Sequence, residues 1–134
     1  MNDFNRARFI RWDGVQEKAC PFYVEVNRGR HRSPEEYFQE HPLNEKIDVF
    51  SLGYVLYSIL MQKDVYEEMR TKDVQRMVKK GKFLSVQKQE DKMKDAVAVA
   101  IRMCLVKDAT KRSTSMEVES YLLKKLEEYG VPKF

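Results

Sequence analysis

Apolar residues crowd the middle of the chain in a spacing that suits no surface helix. Between Ile47 and Met61 they fall on nearly every face of a helical projection: Ile47, Val49, Phe50, Leu52, Val55, Leu56, Ile59 and Leu60. A helix that is apolar all round is a buried one. Further on the spacing narrows to a stripe. Met93, Ala96, Val97, Ala100, Ile101, Cys104 and Leu105 follow the repeat of an amphipathic helix with one buried face. Val118, Leu122, Leu126 and Tyr129 make a last stripe, which Gly130 and Pro132 stop. Residues 62–91 are polar by contrast, with a modest helix predicted over 72–80 and ended by Gly81.

The first 32 residues hold no sustained period. Turn-formers interrupt them at Asp13-Gly14 and Asn27-Arg28-Gly29, and only Phe22-Tyr23-Val24 reads as extended. This predicts a long loop with strand-like stretches, and long loops in compact domains tend to be functional or disordered.

Local chemistry then starts the helices. Ser33 is a good N-cap, Pro34 suits a first helical position because it has no N–H to lose, and Glu36 completes a capping box. A helix is therefore predicted over 33–40, ended by His41-Pro42-Leu43. Asn44 caps the next, with Glu45 and Asp48 in the first turn where the macrodipole favours negative charge. Thr114 and Glu117 form another capping box. The chain is thus predicted to be mainly α, with one irregular segment in front and no internal repeat or linker. The helix at 47–61 asks for neighbours on all sides and the chain supplies few, so the isolated chain is expected to fold poorly.

Composition narrows the class. A chain of 134 residues with 34% charged and 43% hydrophobic residues suits one soluble globular domain. The net charge of +4 reads as a mixed solvated surface. Lys79-Lys80-Gly81-Lys82 and the arginines at 28–32 sit in no nucleic-acid module, so no nucleic-acid partner is expected. Cys20 and Cys104 share no short spacing and are expected to be free thiols in a reducing, cytoplasmic compartment. His31 and His41 have no partners at ligand spacing. No apolar run reaches the roughly 18 residues of a membrane span, and Met1-Asn2-Asp3 does not open a signal peptide.

Three separated motifs and one arginine add a resemblance. Asp3-Phe4-Asn5, Ser33-Pro34-Glu35 and Asp48-Val49-Phe50-Ser51-Leu52-Gly53, followed far downstream by Arg112, resemble the second half of a eukaryotic protein kinase domain. The likeness runs from Asp3 to about Leu126. It implies a partial kinase domain over 1–134, with an activation-segment-like loop at 1–35 and a helical C-lobe portion at 36–129. By the resemblance, Asp3 is the magnesium ligand that meets ATP phosphates, and Phe4 is the packing phenylalanine beside it. Asn5 stands in place of glycine and tolerates a left-handed backbone. Ser33-Pro34-Glu35 closes the activation segment, and Glu35 pairs with Arg112. Asp48 opens the central helix and accepts hydrogen bonds from a catalytic loop, and Gly53 completes that motif.

The same family supplies what these residues lack. The 134 residues contain no His-Arg-Asp, and Gly14, Gly29, Gly53, Gly81 and Gly130 form no phosphate-binding loop. Val99-Ala100-Ile101-Arg102 imitates the lysine strand of an ATP site, but it lies on a helical stripe on the wrong side of Asp3 and ends in arginine. Mg2+ and ATP are thus expected in the intact family domain and not on this chain alone. Its expected partners are an upstream kinase portion and a protein substrate or partner. Between Asn5 and Ser33 the one hydroxyl is on Tyr23, a candidate phosphosite whose phosphate Arg28, Arg30 and Arg32 would accept. Ser33 just beyond is another candidate, and packing beside Phe22 is the other reading of Tyr23. Three functions stay open: a truncated, inactive portion of a protein kinase, a pseudokinase-like interaction module, or an unrelated basic helical binding domain.

Overall fold

The structure, a computed structural model, describes residues 7, 9–25, 29–38 and 42–131. A small hairpin comes first. β1 (Trp12–Asp13) pairs antiparallel with β2 (Lys18–Ala19), Trp12 opposite Ala19. Asp13 makes the turn, since its Oδ1 accepts the N–H groups of Val15 at 2.9 Å and Gln16 at 3.0 Å. Such an Asx turn is what the Asp-Gly pair favours. Of the extended stretch expected at 22–24, Phe22 makes a bridge, exchanging two backbone hydrogen bonds with Leu43.

Five helices follow among the described residues: α1 (Pro34–Phe38), α2 (Lys46–Met61), α3 (Thr71–Lys79), α4 (Lys92–Cys104) and α5 (Ser115–Glu128). α1, α2 and α5 start close to where their caps predict. Glu36 Oε2 accepts the Ser33 N–H at 2.9 Å and the Ser33 hydroxyl at 3.0 Å. Asn44 Oδ1 accepts the Lys46 N–H at 3.0 Å. The Thr114–Glu117 capping box is complete. Asp91, which the periodicity left unremarked, caps α4 by accepting the Lys94 N–H at 2.8 Å. Gly81 stands just past α3 at φ +75°, the left-handed position glycine tolerates. The predicted tail of α1 at 39–40 lies outside the described residues.

α2 is the central beam. It packs along α4, and α5 packs against α4 in turn. Phe50, Tyr54 and Tyr57 face Tyr66, Val74, Val78 and Ile101, while Val49 faces Ala100, Cys104 and Val118. The approach of α2 to the end of α4 is close. A Cβ added to Gly53 would lie 2.7 Å from Leu105 Cδ2 and 2.8 Å from Cys104 Cβ.

Burial corrects three stripes. α2 is not buried all round: Val55 is 54% and Ile59 59% exposed, forming an open apolar strip. α4 is not buried on one face alone. Ala98, outside its stripe, is fully covered on the α2 side, whereas Met93, inside it, is half exposed. In α5 only Val118 is buried, and Leu126 lies open. The expectation of poor folding rested on too few neighbours for α2. α4 and the region around α3 supply most of them, so the remaining deficit is the strip at Val55 and Ile59. Apolar surface of that kind favours self-association more than unfolding.

Gly53→Ala tests the crossing. Alanine gains about 1 kcal/mol of helix propensity over glycine, but overpacking costs about 1–3 kcal/mol. Cys104 Cβ cannot move without the α4 backbone, so the steric cost wins. Urea denaturation should show a net loss of up to about 2 kcal/mol, and a raised midpoint would mean the helices do not cross this closely.

Candidate functional site: a buried arginine hub and the segment beside it

Arg112 is aimed inward by the turn before it. Asp108 accepts the Thr110 N–H at 3.0 Å and its hydroxyl at 2.7 Å, and the Arg112 N–H reaches back to the Asp108 carbonyl at 3.1 Å. These bonds from Thr110 hold the Asp108 carboxyl below its ordinary pKa. The Arg112 side chain then runs into the protein and is 1% exposed.

There its guanidinium meets Glu35 in a two-pronged pair, Nη1 to Oε1 at 2.6 Å and Nη2 to Oε2 at 3.1 Å. Nη1 also donates to the Lys46 carbonyl at 2.6 Å. Nε and Nη2 donate to the Val106 carbonyl at 3.0 and 2.8 Å. The guanidinium carbon sits 4.8 Å from the centre of the Phe50 ring. Every N–H direction of the guanidinium fork is thus used. One side chain ties the start of α1, the start of α2 and the segment after α4. Lys46 closes the loop, its Nζ donating to the Arg112 carbonyl at 2.5 Å.

The expected pair of Glu35 with Arg112 is therefore present in the structure. Pro34 is the first residue of α1 and is fully buried. Ser33 is also fully buried, its hydroxyl held by Glu36, which removes it as an accessible phosphosite. Gly53 supplies the close approach of α2 to α4. Asp48 lies exposed in the first turn of α2, its carboxylate in no hydrogen bond or ion pair among the described residues. The desolvation cost of an unpaired buried carboxylate does not arise there. Asp3 and Phe4 lie outside the described residues.

Residues 29–32 are stitched to the α2–α3 connection by contacts that the sequence did not announce. Arg30 Nη1 donates to the carbonyls of Tyr66 at 3.1 Å and Glu67 at 3.2 Å. His31 Nε2 lies 3.2 Å from the Val65 carbonyl, and the Tyr37 hydroxyl donates to the Gly29 carbonyl at 2.6 Å. Tyr66 holds φ +61°, an uncommon conformation for a bulky residue, and the Arg30 contact braces it. Burial pushes the Tyr37 hydroxyl up to about 12 and that of Tyr54 higher still, so both stay protonated donors. The Cys104 thiol is pushed up to about 11, chiefly by burial, which makes it a packing residue and not a nucleophile.

Tyr23 is 66% exposed, so packing beside Phe22 is not its state. The arginine cradle suggested for its phosphate is otherwise engaged. Arg30 holds the α2–α3 connection and Arg32 pairs with Glu36 at 3.5 Å, while Arg28 lies outside the described residues. Between residues 29–32 and the open strip of α2 lies a cleft of about 880 Å³, lined by Arg30, Arg32, Ser51, Tyr54, Val55 and Lys63 among others. Among the described residues no group of three or more His, Cys, Asp or Glu side chains is placed to hold a metal. One aspartate at position 3 does not by itself make a magnesium–nucleotide site.

Removing Glu35 would strand a buried guanidinium on carbonyls alone. Glu35→Ala should lower unfolding stability by about 3–5 kcal/mol, the usual cost of breaking a buried pair. That is a large part of the roughly 5–15 kcal/mol that holds a domain. Arg112→Lys should fare little better, since an ammonium cannot reproduce the fork. Denaturant unfolding followed by circular dichroism would read both. No loss on either change would mean the pair does not carry the fold.

No curated protein matches the chain in sequence. The family model described as protein kinase domain matches residues 2–122, most of the 134. That match rules out the reading as an unrelated basic helical domain. With the motif order, the Glu35–Arg112 pair and the helical architecture on the same side, the chain belongs to the protein kinase domain family.

Proposed function

We propose that this chain is the activation-segment and helical C-lobe portion of a protein kinase domain, with residues 1–35 as the former and 36–129 as most of the latter. Its role is to scaffold the side of the domain that meets protein substrate, and it does not transfer phosphate by itself. The Glu35–Arg112 pair carries the reading, because it locks Ser33-Pro34-Glu35 onto α2 and the segment after α4. A segment anchored in this way is held in place against a rigid helical base, which substrate positioning requires. The stitching of residues 29–32 to the α2–α3 connection adds to it.

The catalytic side of the proposal is a matter of missing groups. Phosphoryl transfer needs a base or a residue that orients the acceptor, a cradle for the phosphates and a metal site. The 134 residues contain neither His-Arg-Asp nor a Gly-rich loop. Asp3 would be the magnesium ligand only with Mg2+, ATP and an upstream kinase portion alongside it. The solvent-facing carboxylate of Asp48 and the open strip at Val55 and Ile59 are the surfaces such a portion would cover. Tyr23, exposed on the segment before α1, is the candidate site of phosphorylation. No described helix is long and apolar enough to cross a membrane. The two free cysteines fit a cytoplasmic location.

A second reading is a pseudokinase-like module that binds another protein through the same strip. The strip supports both readings, since either partner would remove its apolar side chains from water.

Calorimetry with magnesium and ATP, together with transfer of labelled phosphate to a mixed peptide substrate, separates catalysis from scaffolding. The expected result is no binding heat and no transfer above an enzyme-free blank. Measurable transfer that survives further purification would overturn the non-catalytic reading.

A further inference from the structure

We propose that the groove between α1 and the 107–110 turn is a docking site for an acidic peptide segment of a partner protein that carries one aromatic anchor. The inference stands apart from the reading above. Every wall of the groove comes from residues of this chain, and the Arg112 hub fixes the two walls relative to each other. Glu35 of one wall and the Val106 and Lys107 carbonyls leading into the other are bound by the same guanidinium.

The groove encloses about 480 Å³, room for one large side chain and its neighbours. Its apolar lining includes Pro34, Phe38, Pro42, Leu43 and Ala109. Phe38 is 38% exposed although it stands in an otherwise covered helix. An open aromatic beside prolines is a surface that rewards an apolar anchor.

The rim supplies the charge. Lys79 Nζ stands 5.4 Å from the centre of the Phe38 ring. Lys107 lines the groove, and its aliphatic chain lies across Gly81. Neither Lys79 nor Lys107 holds an ion pair among the described residues. The carboxylates lining the groove are already engaged: Glu35 is held by Arg112, and Asp108 by Thr110 with Lys111 at 3.8 Å. Two ammonium groups at the rim of an apolar floor, neither in an ion pair among the described residues, complement carboxylates flanking an aromatic residue. A nucleic acid would instead need a longer basic track with stacking faces.

The test uses the 134-residue chain and a fluorescein-labelled peptide with a central Phe between runs of Glu and Asp. Its controls are the same peptide with Ala for Phe and a Lys/Arg counterpart. Fluorescence anisotropy should show saturable binding of the acidic Phe peptide, weakened about tenfold by the Ala peptide and about tenfold by Lys107→Glu. Ala109→Arg adds positive charge yet fills the floor, so it should also weaken binding. Amide shifts in the unaltered protein should cluster at Leu43, Asn44, Ala109 and Thr110. Five results would overturn the proposal: no binding; equal binding of the basic peptide; tighter binding by Ala109→Arg, the mark of diffuse charge alone; shifts confined to the Val55 strip; or sedimentation showing a dimer that Ala109→Arg dissolves, which would make a second copy the occupant.

Discussion

A guanidinium buried away from water is tolerable only when each of its N–H groups finds an acceptor, and Arg112 meets that condition through three separate parts of the chain. Its partners are a carboxylate at the start of α1 and carbonyls at the start of α2 and after α4. Because a guanidinium is planar, those acceptors must lie nearly in one plane. The positions of the three elements are therefore coupled. Everything built on them inherits that constraint. The Ser33-Pro34-Glu35 corner cannot shift without exposing Arg112, and the groove beside it keeps its shape for the same reason. Phe50 over the guanidinium face joins this polar hub to the apolar core.

The core works by a different rule. α2 and α4 approach closely because the residues between them are small: Gly53 on one helix, Ala98 and Ala100 on the other. The large side chains of α2 then turn to the sides, where Tyr54 and Tyr66 meet edge to face, as do Phe50 and Phe83. The hydroxyls of Tyr54 and Tyr66 lie 3.3 Å apart, which satisfies both in a place that excludes water. This arrangement leaves Val55 and Ile59 more than half exposed. The structure is closed along α4 and open along one strip of α2.

Residues 29–32 show how a segment with no periodic signal becomes ordered. Arg30, His31 and the Gly29 carbonyl each contact a residue of the α2–α3 connection or of α1. The link is one of polar side chains to backbone carbonyls across more than thirty positions in sequence. Such contacts make the segment and the α2–α3 connection move as one unit. This joins residues 29–32 to the helical part of the fold.

The sequence by itself determined what is local. Capping boxes at Ser33 and Thr114, the Asn44 cap, the Gly81 stop and the apolar repeats placed all five helices, because each signal acts within a turn or two of the backbone. The resemblance to a kinase domain also implied the pairing of Glu35 with Arg112, though 77 residues separate them. Asp91 is a cap by residue type, but the apolar repeat that follows it does not mark where α4 begins. What only the tertiary structure decided is which faces find neighbours. Periodicity says that a face is apolar, not that something covers it, so the exposure of Val55, Ile59 and Met93 could not be read from spacing. Nor could the solvent-facing carboxylate of Asp48, the commitment of Arg30 to distant carbonyls or the open position of Tyr23. Burial and long-range hydrogen bonds depend on how the whole chain packs, and no window of sequence contains that information.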